Sequence, residues 1–282
     1  MIFLILSVLS STAIFVLFKL FNKYNVNTLQ AIVFNYIIAC TCGLLLYKKP
    51  INLANFLNEP WFYAALALGI LFISIFNVMA LTAQKNGLSV ASVASKMSVI
   101  IPILFGIIVY NESIGFKKIT GIILALIAVY LTSIKPKSNV VLTKAIYLPI
   151  ILFLGSGVID TSVNHFAPEG NMPLFLAIIF ASAGIIGLVM VSFKTIKTKQ
   201  KFNPKSIPFG IALGLVNYCS MYFLLKALRV DGFESSSVFT INNVAIVAVS
   251  CLIGLFLFKE VISSKNWIGI GFALVSIILV TL

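Results

Sequence analysis

Charge is what this sequence has least of. Only 10% of its 282 residues are Asp, Glu, Lys or Arg, where a water-soluble domain of this length carries about 25%. No polar stretch exceeds about a dozen residues, which leaves no room for a water-soluble domain. Acids are scarcest, seven against 20 Lys and Arg, and there is one His. A single histidine and a single carboxylate within an apolar run, Asp160, cannot form a hydrolytic dyad of acids. The sequence contains no H-E-x-x-H, no Walker A glycine loop and no G-x-S-x-G, and no cluster of metal-ligating residues. These absences exclude the common zinc-peptidase, P-loop and serine-hydrolase chemistries, so the expectation is a protein that is not an enzyme and has neither metal nor cofactor. With no ATP-binding domain, any work it does must draw on a gradient. The four cysteines, Cys40, Cys42, Cys219 and Cys251, lie in apolar runs and read as small packing residues rather than a disulfide framework.

What is present is hydrophobic length. Apolar residues make up 61% of the chain, in runs of ~17–25 residues separated by short polar breaks, the pattern of a polytopic helical membrane protein. The ~10-residue alternating segments of a membrane barrel are missing. Ten spans can be drawn: 2–21, 28–47, 61–84, 88–110, 116–134, 145–166, 172–193, 206–228, 234–258 and 264–282. The first lacks a basic n-region before it and an A-x-A pattern after it, so it reads as a retained span, not a signal peptide. The net charge of +13 comes from lysines placed mostly at span ends, facing headgroups. No clustered basic domain points to nucleic acid.

The stretch Asn86–Lys118 departs from a plain anchor. Lys96 lies near the middle of span four, ~10–15 Å from either headgroup layer at 1.5 Å per residue. A lysine there costs on the order of 2.5–3.5 kcal/mol on insertion scales, so an ionisable group at that depth reads as functional. Pro102, six residues on, frees the carbonyl of Ser98 and is a candidate hinge. Ser89, Ser92 and Lys96 share one face of span four, and Ala91, Ser95, Ser98 and Pro102 form a small-residue strip. Further polar faces are Asn77 and Gln84 in span three, and Ser156, Asp160 and Asn164 beside His165 in span six. Span eight carries Asn217, Tyr218, Tyr222, Lys226 and Arg229, and span nine Ser236, Thr240, Asn242 and Asn243. Lys19 and Lys226 lie near span ends, where they can snorkel. Spans five and ten carry small-x-x-x-small strips instead, Gly121-x-x-x-Ala125 and Gly269-x-x-x-Ala273.

Those last two strips also match each other, as do Gly87 and Gly232, and Tyr110-Asn111-Glu112 and Phe258-Lys259-Glu260. The chain is thus five spans repeated, residues 1–134 and 135–282, joined near Lys135–Lys144. An odd span number gives the halves opposite orientations, and such inverted repeats place a binding site near the bilayer midplane. Topology from lysine bias conflicts between halves. Lys48, Lys49, Lys117 and Lys118 put the N-terminus inside, whereas Lys194, Lys197, Lys199, Lys201 and Lys205, and the whole-chain count, put it outside.

The repeat, Pro102 followed by Tyr110-Asn111-Glu112, the matching Glu260, and Gly121 and Gly269 make the sequence similar to the drug/metabolite transporter superfamily, in particular its ten-helix EamA-type members. It departs from their pattern at Asn111, where glycine is common, and at Ser250, where Pro102 would map. The resemblance implies an all-α integral membrane fold, ten transmembrane helices as two inverted five-helix repeats around a central cavity. It implies cytoplasmic termini in a multi-pass protein of the cell inner membrane, with spans five and ten peripheral. It implies a secondary transporter, an exporter or exchanger of a small polar metabolite such as an amino acid, with room for proton or counter-substrate coupling and for a homodimer. The expected substrate-binding residues are Lys96, Asp160, Asn77, Ser92, Tyr218, Tyr222, Asn242 and Asn243, with Pro102 as hinge. Lys96 meets an anionic group of an anionic or zwitterionic substrate, or pairs with Asp160. Two other readings are an organophosphate or nucleotide-sugar antiporter, using Lys96 with Lys226, Arg229 or Lys19, and a non-transporting membrane scaffold subunit.

Overall fold

The computed structural model describes residues 2–48, 59–109, 115–133, 147–168, 171–198, 201–228, 235–260 and 262–281. Among them the chain forms α-helices and no strand. In chain order these are α1 (Ile2–Lys23), α2 (Thr28–Leu46), α3 (Pro60–Lys85), α4 (Leu88–Met97), α5 (Ile100–Val109), α6 (Phe116–Ser133), α7 (Tyr147–Phe166), α8 (Met172–Thr198), α9 (Ser206–Leu228), α10 (Ser235–Phe256) and α11 (Ser264–Thr281). Helices satisfy every backbone group internally, which is why apolar runs of this length adopt them in lipid. Five of them, α1, α2, α3, α8 and α9, are long and apolar enough to cross a membrane, and the rest are shorter apolar helices. The protein is a multi-pass helical membrane protein. The turn at Asn111-Glu112, Gly232, the join Lys135–Lys144, and Glu169, Arg229, Asp231 and Glu234 lie outside the described residues, as do the side chains of Asn164, Ser236 and Thr240.

The chain divides into two compact units, each drawing on both halves of the sequence. The first comprises Met1–Leu20, Val78–Val158 and Cys219–Leu282, the second Phe21–Asn77 and Ile159–Tyr218.

In the first unit, α6 packs along α11. Ser276 Oγ donates to the carbonyl of Gly121 at 2.6 Å, and Asn266 Nδ2 donates to that of Thr132 at 2.8 Å. Residue numbers rise along one helix as they fall along the other, so the pair is antiparallel. The small-residue strips make the close approach: Ala125 and Ala273 are buried, and a Cβ on Gly269 would sit 3.0 Å from the Thr132 backbone nitrogen. Outer faces carrying Ile123, Leu126, Tyr130, Ile268 and Val275 are left exposed, as lipid-facing surfaces of a membrane protein are. Val93, Met97, Ile100, Phe153, Val247 and Cys251 complete this core.

In the second unit, α2 packs antiparallel on α8. Gly43 meets Ala177, while ten residues earlier Val33 meets Gly187. The ring of Tyr36 stacks on Phe180 at 6.0 Å and leans on Phe76 at 5.7 Å. The same α2 meets α9 through a further strip of small residues, Ser206, Gly210 and Gly214, which the polar and aromatic residues of span eight obscure in the sequence. Ser206 Oγ donates to the Asn27 carbonyl at 3.3 Å. A Cβ on Gly210 or Gly214 would sit 2.6 Å from the Ala31 oxygen or 2.7 Å from the Asn35 oxygen. Only residues without a side chain allow backbones this near, the small-x-x-x-small principle of membrane helices.

Candidate functional site

Span four is not one helix. It breaks between α4 and α5 at Ser98 and Val99. Pro102 has no N–H to offer the Ser98 carbonyl four residues back. The chain responds by tightening: Ile101 N donates to the Ser98 carbonyl at 2.9 Å, and Ser98 Oγ turns onto the carbonyl of Ser95. The interruption thus falls a turn before the proline itself. Lys96 is the penultimate residue of α4 and half-buried. Its place in the last turn is electrostatically suitable, because the C-terminal end of a helix carries partial negative charge.

The other end of α4 is held by a group that no sequence motif singles out as a site. Glu260 follows α10. Lys259 adopts a left-handed φ of 49°, which reverses the chain so that Glu260 N donates to the Gly254 carbonyl at 2.9 Å. The Glu260 carboxylate then lies over the bare Cα of Gly254, where a Cβ would come within 2.7 Å of Oε2. From there it accepts from Leu88 N at 2.7 Å, Ser89 N at 3.4 Å and Ser89 Oγ at 3.3 Å. The two backbone N–H groups are unsatisfied donors of the first turn of α4, and an anion there also meets the positive end of the helix dipole. Gly87, at φ +111°, makes the entry to α4, and a Cβ there would sit 3.0 Å from the same carboxylate. Finally Lys19 Nζ of α1 lies 3.0 Å from Glu260 Oε1. Its ammonium is thus ion-paired, and it ties α1 to α4 and to the end of α10.

The remaining expected residues fall in both units. In the first, Ser92 is fully buried and its hydroxyl donates to the Ser89 carbonyl at 3.0 Å. Asn242 and Asn243 are buried. Ser7 Oγ lies 3.0 Å from Asn242 Oδ1 and 3.2 Å from the Ser220 carbonyl. One hydroxyl carries one proton, so Ser7 shares it between two acceptors. This node links α1, α9 and α10. Tyr222 is half-buried with Lys226 Nζ 5.7 Å from its ring centre. In the second unit, Tyr218 is buried, and Asn77 is half-buried with its amide donating to the Ile73 carbonyl at 2.8 Å. Asn217 donates to Asn35 Oδ1 at 3.1 Å, both residues being buried, a pair that joins α9 to α2. Asp160 is exposed. The exposed apolar stripe of α7 runs through Ile150, Ile151, Leu154 and Val158, and Asp160 lies about 200° around the helix from Val158 at 100° per residue.

Apolar helices of this length and number define the class first, a multi-pass helical membrane protein. The EamA-like transporter family model matches residues 1–134. A protein of Haemophilus influenzae of uncharacterized function is 32% identical over 283 aligned positions, covering 97% of this chain and 95% of the relative. The chain belongs to the EamA-like transporter family. A protein of known crystal structure shares the fold, with a TM-score of 0.55 at 14% identity, over 97% of this chain and 96% of that one. Membership implies membrane transport of a small molecule rather than catalysis.

Proposed function

We infer that the protein is a secondary transporter of a small polar metabolite such as an amino acid, an exporter or exchanger working by alternating access. Its halves, residues 1–134 and 135–282, are inverted repeats. The antiparallel packing of α2 on α8 and of α6 on α11 supports this, since each helix pairs with the span five places along, and an odd spacing reverses direction. The observation that carries the transport reading is Lys96 at the break between α4 and α5. An ammonium half-buried in an apolar span has high affinity for an anionic group. Asn242, Asn243, Ser92 and Tyr222 belong to the same unit and are proposed as further contacts. Asn77, Tyr218 and Asp160 are proposed as contacts on their own evidence of polarity within apolar helices, with Asp160, which is exposed, as the group that takes up a coupling proton.

The test is transport in proteoliposomes loaded with amino acids and other small zwitterions or anions. Lys96→Ala is expected to abolish flux while leaving the thermal unfolding profile in detergent cooperative. Flux retained at the wild-type rate by a folded Lys96→Ala protein would remove Lys96 from the site.

A further inference from the structure

The corner of the second unit where the α1–α2 turn meets the α8–α9 connection carries cations that nothing in the transport reading uses. The corner is rigidly built. Asn25 takes the left-handed conformation, φ 53°, that Asn tolerates. Asn203 Nδ2 donates to the Asn25 carbonyl at 2.8 Å, Asn203 N donates to Gln30 Oε1 at 2.9 Å, and Ser206 Oγ donates to the Asn27 carbonyl at 3.3 Å. Two lysines converge on Tyr24 within this frame. Lys205 Nζ lies 3.4 Å from the Tyr24 carbonyl, and Lys23 Nζ lies 5.9 Å from its ring centre. The ring is held from behind by Phe209, 5.6 Å away.

Both lysines are exposed, and among the described residues neither forms an ion pair with a carboxylate. The described acid of this unit that precedes α3, Glu59, is separated from Tyr24 in sequence by the whole of α2, whose 19 residues span about 28 Å. Lys205 also precedes Ser206, the first residue of α9, so its charge adds to the positive end of that helix.

The depth of the corner follows from helix length. α8 has 27 residues, about 40 Å of helix against ~30 Å of hydrocarbon. Its last turns therefore reach the headgroup layer. They have the composition of that layer, with Phe193 and Ile196 exposed and Lys197 over the Phe193 ring at 5.8 Å. Because α2 runs antiparallel to α8, with Val33 against Gly187, the start of α2 lies at this same end, and Asn203, bonded to Asn25 and Gln30, lies with it. Tyr24 and Phe202 beside the lysines are also exposed, an aromatic surface against which acyl chains can lie.

We propose that Lys23, Lys205 and Tyr24 form a binding site for the headgroup phosphate of an anionic phospholipid. The two ammonium groups take the phosphate oxygens, and Tyr24 and Phe202 pack against the glycerol and upper acyl chains. This site is independent of the transport reading, because it concerns neither Lys96 nor substrate.

The experiment titrates the full-length protein, in micelles of constant total lipid, with phosphatidylglycerol in place of phosphatidylcholine. Retained lipid is counted by native mass spectrometry and stability by thermal unfolding. Wild-type protein is expected to retain phosphatidylglycerol in preference to phosphatidylcholine and to unfold at a higher temperature with it. A lysine near an anionic lipid surface contributes about fivefold in affinity, so Lys23→Gln/Lys205→Gln is expected to weaken retention roughly thirtyfold. Lys85→Gln, which alters an exposed lysine in the first unit, is expected to leave it unchanged. Three results would overturn the assignment. The double variant could keep the wild-type preference. Lys85→Gln could lose as much as the double variant, showing diffuse attraction. Inorganic phosphate at millimolar concentration could reproduce the stabilisation, showing a site for free phosphate.

Discussion

Removing the Glu260 carboxylate should destabilise the protein more than removing the lysine paired with it. In the native state the carboxylate takes three hydrogen bonds from the start of α4 and an ion pair from Lys19. The side chains of Lys19 and Glu260 are 22% and 13% exposed, sheltered enough for the pair to count as more than a surface ion pair. A hydrogen bond to a charged group contributes about 1.5–3 kcal/mol, and loss of a helix N-cap costs ~1 kcal/mol. These terms share one group and do not add. Glu260→Gln keeps an oxygen for Leu88 N and Lys19 but turns an amide against the Ser89 N–H, donor against donor, for a cost of about 2 kcal/mol. Glu260→Ala also strands the Lys19 ammonium, for about 3–4 kcal/mol. Lys19→Met leaves the carboxylate on its three donors and costs ~1 kcal/mol. At about 2–4 °C per kcal/mol for a chain of this size class, thermal unfolding in detergent should fall by roughly 4–8 °C for Glu260→Gln and half that for Lys19→Met. The double variant should cost less than the sum, since both changes remove the same ion pair. Glu260→Gln melting within a degree of wild type, or Lys19→Met melting below Glu260→Gln, would refute the reasoning that the helix terminus, not the ion pair, is the main partner of the carboxylate.

Pro102→Ala returns an N–H four residues after Ser98 and lets α4 run on into α5; the protein is expected to melt higher and to transport more slowly in proteoliposomes, and a melting point below wild type would count against the break being proline-made. Gly214→Ala places a methyl 2.7 Å from the backbone oxygen of Asn35, which cannot swing aside, and is expected to cost about 1–3 kcal/mol. Gly271→Ala, where a Cβ meets nothing within 4 Å, should be neutral or stabilising by up to ~1 kcal/mol, and the two together, measured by thermal unfolding, separate close helix contact from helix propensity.

Residues whose meaning is local are legible in the sequence alone. Lys96 and Pro102 mark span four because charge and proline are each costly in an apolar helix wherever the chain goes. The strips at Gly121 and Gly269 are readable for the same reason: a period of four small residues is a surface property of one helix, and α6 and α11 meet along it. The strip Ser206-Gly210-Gly214 obeys the same rule but is obscured by the aromatic and polar residues of span eight. The position of the break in span four is less legible. Proline names the carbonyl it orphans, but which donor rescues that carbonyl, here Ile101 N, depends on how the turn relaxes.

Glu260 and Lys19 show what sequence alone does not carry. Each has the look of an end-of-span charge, and the repeat marks Glu260 only as a match to Glu112. The site they form needs Lys19, Gly87, Leu88, Ser89, Gly254 and Glu260 in one place, and their spacing along the chain follows no period. The Asn35–Asn217 and Ser7–Asn242 contacts are of the same kind. Composition and span length determined that this chain is a bundle of membrane helices, because an unpaired backbone group or charge is costly in lipid at each residue separately. Which polar groups meet was decided only by tertiary packing, since a hydrogen bond between helices depends on distance in space, and separations such as 213 residues between Ser7 and Ser220 leave no trace in any local pattern.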